Sequence, residues 1–140
     1  MTSFFIDELM EDEGFRTAVY LDHKGIPTIG YGTKIDEIRV SRATALKWLM
    51  DEVAEKEARL ERIPYFLELD DIRKDVIRSM AYQMGTRGTT LFRDMWTAIG
   101  VGDYMAAGAA MRDSKWWRDT KTQGRAERMA KRMERGRWYV

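Results

Sequence analysis

Apolar residues recur at helical spacing through almost the whole chain, and one short stretch breaks that rule. Ala18-Val19-Tyr20-Leu21 reads as a strand, Asp22-His23-Lys24-Gly25 as a turn, and Ile26 to Tyr31 as a returning strand. Pro27 is tolerable there only at a strand start or a sheet edge, and Gly30 and Gly32 open a further bend. Any fold for this chain must therefore hold one small hairpin among helices. Ahead of the hairpin, Ser3 can cap a first helix whose Phe5, Ile6, Leu9 and Met10 form an apolar face. Gly14 is a natural left-handed stop, which leaves Glu13 in the last turn.

After the hairpin, Ser41 can cap a long helix reaching about Arg62, with Leu46, Leu49, Met50, Val53 and Leu60 on one side and Pro64 just beyond. Asp70 or Asp71 caps the next, with Ile72, Val76, Ile77, Met80 and Met84 inward and Gly85 as its stop. Shorter helices are expected over 90–99, 103–112 and 114–119. A last one is expected from Gly124 to Gly136, with Ala126, Met129, Ala130 and Met133 as a narrow apolar stripe. The class is α+β with helices dominating: a β-hairpin lobe at about 14–45, a connecting helix at 46–62, and a helical lobe formed by 1–13 and 63–140. With 140 residues, no repeat and no linker, the chain reads as one domain. Trp48, Trp96 and Trp116, and Met10, Met50, Met80, Met84, Met129 and Met133, are expected in the core, whereas Trp117 and Trp138 are free to stack on a ligand.

Composition narrows the function classes. Hydrophobic residues at 44% and charged residues at 34% exclude disorder and a membrane-embedded chain. No cysteine and a single histidine, His23, leave little material for a zinc site or a histidine relay, so no metal and no cofactor is expected. Gly30-Tyr31-Gly32 lacks the rest of a phosphate-binding or dinucleotide motif. The acid-rich start carries no secretory signal, so a cytoplasmic pool is expected. The net charge of +1 hides a split: residues 1–70 hold 9 Lys/Arg against 15 Asp/Glu, and residues 71–140 hold 15 against 8. Such a basic half either attracts the acidic one or faces a polyanion. Arg125, Arg128, Lys131, Arg132, Arg135 and Arg137 concentrate it in the last helix, which could touch an anionic wall or membrane surface. Nothing around that helix has helix-turn-helix context, which argues against nucleic acid as a partner.

The chemistry-bearing segment is Glu13-Gly14-Phe15-Arg16, then Tyr20, Asp22, Gly25 and Thr28-Ile29-Gly30-Tyr31-Gly32. Glu13 and Asp22 are separated by a helix end and one strand. Two such carboxyls suit glycosidic hydrolysis, in which one protonates the leaving oxygen while the other stays charged beside a water or an oxocarbenium ion. The negative end of the helix dipole, with Glu11 and Asp12 alongside, disfavours a further anion at Glu13 and suits a proton donor. Asp22 opens a turn whose N–H groups can hold it ionised, and Thr28 lies across the hairpin, able to bind a water.

These residues resemble the phage-type lysozymes, the group that includes the T-even phage enzymes. A Glu, eight residues, an Asp, five residues and a Thr make the signature, and Glu13, Asp22 and Thr28 fit it without a gap. Gly14, Arg16, Tyr20, Gly25 and Thr28-Ile29-Gly30 with Gly32 extend the match. Ser79-Met80-Ala81-Tyr82-Gln83-Met84-Gly85, Ser114-Lys115-Trp116 and Gly124-Arg125-Ala126 continue it more loosely. Relative to the T-even members, Lys34 to Val40 replaces a longer β excursion, Thr33 stands where they carry histidine, and the Trp116–Arg125 loop is longer. The β lobe should therefore be smaller.

The resemblance implies a two-lobed lysozyme-like fold and a monomeric muramidase cutting the β-1,4 bond between N-acetylmuramic acid and N-acetylglucosamine in peptidoglycan. Glu13 would be the general acid, and Asp22 with Thr28 would position the water, in a single displacement with inversion. Gly30, Tyr31 and Gln83 would line the glycan cleft and Arg125 would pair with Glu13. The role implied is host-cell lysis, with release to the wall through a separate holin-type pore. A lytic transglycosylase, a chitinase-like activity and a non-catalytic wall-binding module are the alternatives.

Overall fold

The computed structural model describes residues 3–138. Along the chain run α1 (Phe4–Glu13), β1 (Arg16–Leu21), β2 (Pro27–Gly30), β3 (Thr33–Lys34), a 3-10 turn (Ile35–Glu37), α2 (Arg42–Leu60), α3 (Asp71–Thr90), α4 (Arg93–Gly100), α5 (Tyr104–Arg112), α6 (Lys115–Arg118) and α7 (Gln123–Arg135). Seven helices and a three-stranded antiparallel sheet make the fold α+β. None of the described helices is long and apolar enough to cross a membrane. The chain divides into two compact units, Met1–Ala45 and Leu46–Val140, and α1 falls in the first with the sheet.

In the first unit, Ser3 accepts a hydrogen bond from the Ile6 N–H at 3.3 Å and so caps α1. Gly14, at φ +67°, returns its N–H to the Met10 carbonyl at 3.1 Å, fixing Glu13 as the last helical residue. The sheet order is β1-β2-β3. Arg16 pairs with Gly30, Tyr20 with Thr28 and Leu21 with Pro27, with an irregularity between Arg16 and Tyr20. Thr28 also pairs with Lys34 and Ile29 with Thr33. Pro27 begins its strand, as a residue lacking an N–H must. β3 is the one strand the sequence pattern misses; two residues are too few to display alternation.

The second unit encloses the core. Leu60, Phe66, Val76, Ile77, Met80, Met95, Met111 and Met133 are fully buried, with Trp96 and Trp116 packed at the margin. Asp70 caps α3 by accepting from the Arg73 N–H at 3.0 Å. Gly85 ends the first helical segment of α3, as the sequence predicts. It adopts φ +82° as a kink, and helix resumes to Thr90, anchored by the Thr89 hydroxyl donating to the Gly85 carbonyl at 3.0 Å and by burial of Thr89. Helices α5 and α7 pack closely because Gly108 has no side chain: a Cβ there would strike the Glu134 side chain. Arg112 clamps the pair, bonding both Glu127 oxygens at 2.9 Å and Glu134 at 2.6 Å. Arg73 donates to the carbonyls of Met133 (2.6 Å) and Glu134 (3.0 Å), placing a cation at the negative end of α7.

Some expected core residues are not buried. Trp48 is 52% exposed and Met50 62% exposed, and Leu60 alone in α2 is buried. The long helix is thus apolar on one side without that side being enclosed. Trp117 is tied by its indole N–H to Glu127 at 2.9 Å, and Trp138 lies under the Arg132 guanidinium at 3.8 Å.

Candidate active site

The first unit supplies two carboxyls in different surroundings. Glu13 ends α1 with its carboxyl lodged against Gly32, in the bend after β2. Gly32 has φ +78°, and a Cβ at that position would strike Glu13 Oε2 and Cδ. Glycine is required there twice over, for the left-handed backbone and for the space the carboxyl occupies.

Asp22 follows β1 and opens the turn. Its Oδ1 accepts the N–H groups of Lys24 (2.8 Å) and Ile26 (2.9 Å), while its own N–H goes to the Ile26 carbonyl at 3.0 Å. The Lys34 ammonium stands 3.7 Å from Oδ2. The Ile26 N–H, above all, holds the Asp22 carboxyl below its ordinary value; partial burial opposes this, and the Lys24 N–H, Lys34 and His23 reinforce it. Asp22 is therefore a carboxylate with Oδ1 holding two N–H groups and Oδ2 facing the Lys34 ammonium outside that clamp.

Thr28 is buried, at 2% exposure, the only described residue of the first unit so enclosed. Its hydroxyl donates to the Ile26 carbonyl at 2.8 Å. With the proton committed, the oxygen is left as an acceptor. Ile26 thus pins both members of the pair: its N–H holds Asp22 and its carbonyl holds Thr28. Gly30, at φ +69°, pairs with Arg16. Tyr31 packs its ring on Phe15 at 5.1 Å and remains 44% exposed beside a shallow groove with Asp7, Met10 and Glu11.

Two candidate residues lie in the second unit. The Gln83 side-chain oxygen accepts the Trp116 indole N–H at 3.1 Å, which fixes the amide and leaves its NH2 as a donor. Arg125 donates to the Ser79 hydroxyl at 3.0 Å. The structure therefore groups Glu13 with Gly32, Asp22 with Thr28 through Ile26, Gln83 with Trp116, and Arg125 with Ser79. Sequence reasoning missed Lys34 beside Asp22. The only signal for it was that a hairpin followed by a third strand brings position 34 next to Thr28.

The family model for phage lysozyme matches residues 10–135. The pre-baseplate central spike protein Gp5 of Enterobacteria phage T4 is 31% identical over 150 aligned positions, covering 86% of this chain and 26% of that protein. This chain thus spans about a quarter of the spike protein's length. Probable T4-type lysozyme 1 of Dictyostelium discoideum is 28% identical over 166 positions, covering 97% of this chain and 96% of that one.

Proposed function

Because this chain belongs to the phage lysozyme family, we propose that it is a muramidase, hydrolysing the β-1,4 bond from N-acetylmuramic acid to N-acetylglucosamine in peptidoglycan during lysis of a bacterial host. Glu13 donates its proton to the glycosidic oxygen. A water then attacks the anomeric carbon as the leaving sugar departs, and Asp22 takes the water's proton. The observation that carries this reading is the Ile26 clamp. With Asp22 Oδ2 outside the clamp, paired at 3.7 Å with Lys34, and the Thr28 hydroxyl proton committed to a carbonyl, both groups can accept. A water donating to both points its lone pair outward, towards substrate. One water held this way supports a single displacement with inversion.

Gly30 and Tyr31 offer backbone and an exposed ring to the sugars, and the Gln83 amide offers a donor. Arg125 takes the supporting role that the family resemblance implies, with its guanidinium held by the Ser79 hydroxyl at 3.0 Å. Access to the wall is through a separate pore.

The test is clearance of outer-membrane-stripped sacculi by wild type beside Glu13→Gln, with the products analysed. Removal of the general acid should lower the rate by roughly 10²–10⁴-fold, and the wild-type digest should contain new reducing ends. Anhydromuramic ends would mean a transglycosylase. Binding without clearance by either protein would mean a wall-binding module.

A further inference from the structure

Far along the chain from Glu13, Asp22 and Thr28, the second unit carries an open groove of about 820 Å³ between the segment after α2 and helix α4. That volume is in the range of ligand sites. Tyr65 and Trp96 supply aromatic surface, and the titratable side chains of its lining include Arg62 and Arg93 but no acid. Neither arginine makes an ion pair among the described residues.

The aromatic wall is built at a cost. Tyr65 has φ +74°, the one non-glycine residue described with a left-handed backbone. An aromatic residue in that region is strained, and such strain persists where the surroundings impose it. Its ring lies over Gly100, at the end of α4, where a Cβ would come within 2.8 Å of the ring edge. A bulky residue in a glycine conformation thus meets a glycine where a side chain would not fit, and together they set the ring in the groove, 47% exposed. Trp96 is held alongside by its indole N–H donating to the Thr89 carbonyl at 3.0 Å.

We propose that this groove is a second binding site for peptidoglycan, sharing no residue with the hydrolytic site, that holds the enzyme on the wall. The proposal rests on the muramidase reading for its substrate class. A glycan strand offers sugar rings whose C–H faces pack on Tyr65, and its stem peptides offer carboxylates that Arg62 and Arg93 can pair with in bidentate fashion. Both chemistries occur on one polymer at short separation, matching aromatic and cationic groups in one groove.

The experiment measures co-sedimentation with intact sacculi, using Glu13→Gln so that the wall is not digested, with and without Tyr65→Gly, Arg62→Gln and Arg93→Gln. Tyr65→Gly removes the ring while relieving the backbone, so the fold is retained; a melting curve checks this. Loss of the ring and both charges should weaken binding about tenfold, the equivalent of about 1.4 kcal/mol. Soluble glycan strands freed of stem peptides should compete with the sacculi for the parent protein more weakly than strands that keep them. In the active background, the same three substitutions should leave turnover of soluble glycan fragments unchanged. Undiminished sacculus binding by the triple variant would overturn the second site, whatever the hydrolysis shows. Groove-dependent binding, with no cleavage of soluble fragments by the protein that keeps Glu13, would overturn the muramidase reading and leave the groove standing.

Discussion

In Met1–Ala45 the only buried residue described is Thr28, whereas Leu46–Val140 encloses apolar side chains from Leu60 to Met133. The first unit takes its shape from backbone chemistry: a capping Ser3, left-handed glycines, a three-stranded ladder and the clamp around Asp22. The second takes its shape from volume and from arginine clamps such as Arg112 on Glu127 and Glu134. A carboxyl that must give up a proton needs access, and access is incompatible with a dense core. The comparison teaches that substitutions around the carboxyl pair should cost chemistry, and those in the second unit's core should cost stability.

The largest expected effect is on stability. Met80 is fully buried in α3, and Met80→Ala should destabilise by roughly 2–5 kcal/mol through lost transfer energy and the cavity left behind. Denaturant titration would measure this. The specific activity of the folded fraction should be unchanged. A kcat that falls along with stability would break the division, because packing in the second unit would then be setting the chemistry.

Next comes Gly32→Ala, which inverts the expectation. The added methyl would strike the Glu13 carboxyl, and a displacement near 1 Å can cost on the order of 10²-fold in kcat. It also imposes a left-handed backbone on alanine, at about 1–2 kcal/mol. Gly102→Ala separates the two costs: its φ is +73° and nothing lies within 4 Å of the added Cβ. It should show a similar loss in melting temperature with full activity. Equal activity in the two variants would mean that the space beside Gly32 has no part in placing Glu13.

How much of this was legible in the sequence follows the same line. Local rules found α1 and its end at Glu13, because a serine cap and a glycine stop act within four residues. They found Asp70 for the same reason, and the Asp22 turn, where the side chain bonds N–H groups two and four residues on. They found Gly85 as the stop of the first segment of α3, but not the helical segment that resumes beyond it to Thr90, where the buried Thr89 bonds back to the Gly85 carbonyl. They gave no sign of Tyr65, whose ring lies over Gly100, 35 positions on, nor of the Arg125 bond to Ser79, 46 positions away. Apolar spacing in α2 predicted a stripe correctly but not its enclosure, because periodicity reports a face and not what covers it.

Lys34 is the sharpest instance, and it carries the smallest predicted effect. It pairs with Thr28 across β2 and β3 and puts its ammonium 3.7 Å from the Asp22 carboxylate. Lys34→Met removes one of the influences that hold the Asp22 carboxyl below its ordinary value of 3.8, leaving the Ile26 and Lys24 N–H groups, so the value rises part of the way back. Protonated Asp22 cannot take a proton from water, so the acid limb of the pH–rate profile should move to higher pH, with rates above neutrality unchanged. Stability follows the same sign. A depressed carboxyl stabilises the fold at pH above its unfolded value and loses that contribution as pH falls through the folded one. The variant should therefore be slightly less stable above about pH 4 and equal to wild type in strong acid. Lys34→Arg should restore the acid limb. A limb that stays in place in Lys34→Met would mean that the backbone clamp alone sets the Asp22 charge, and would draw the contrast between the units more sharply still.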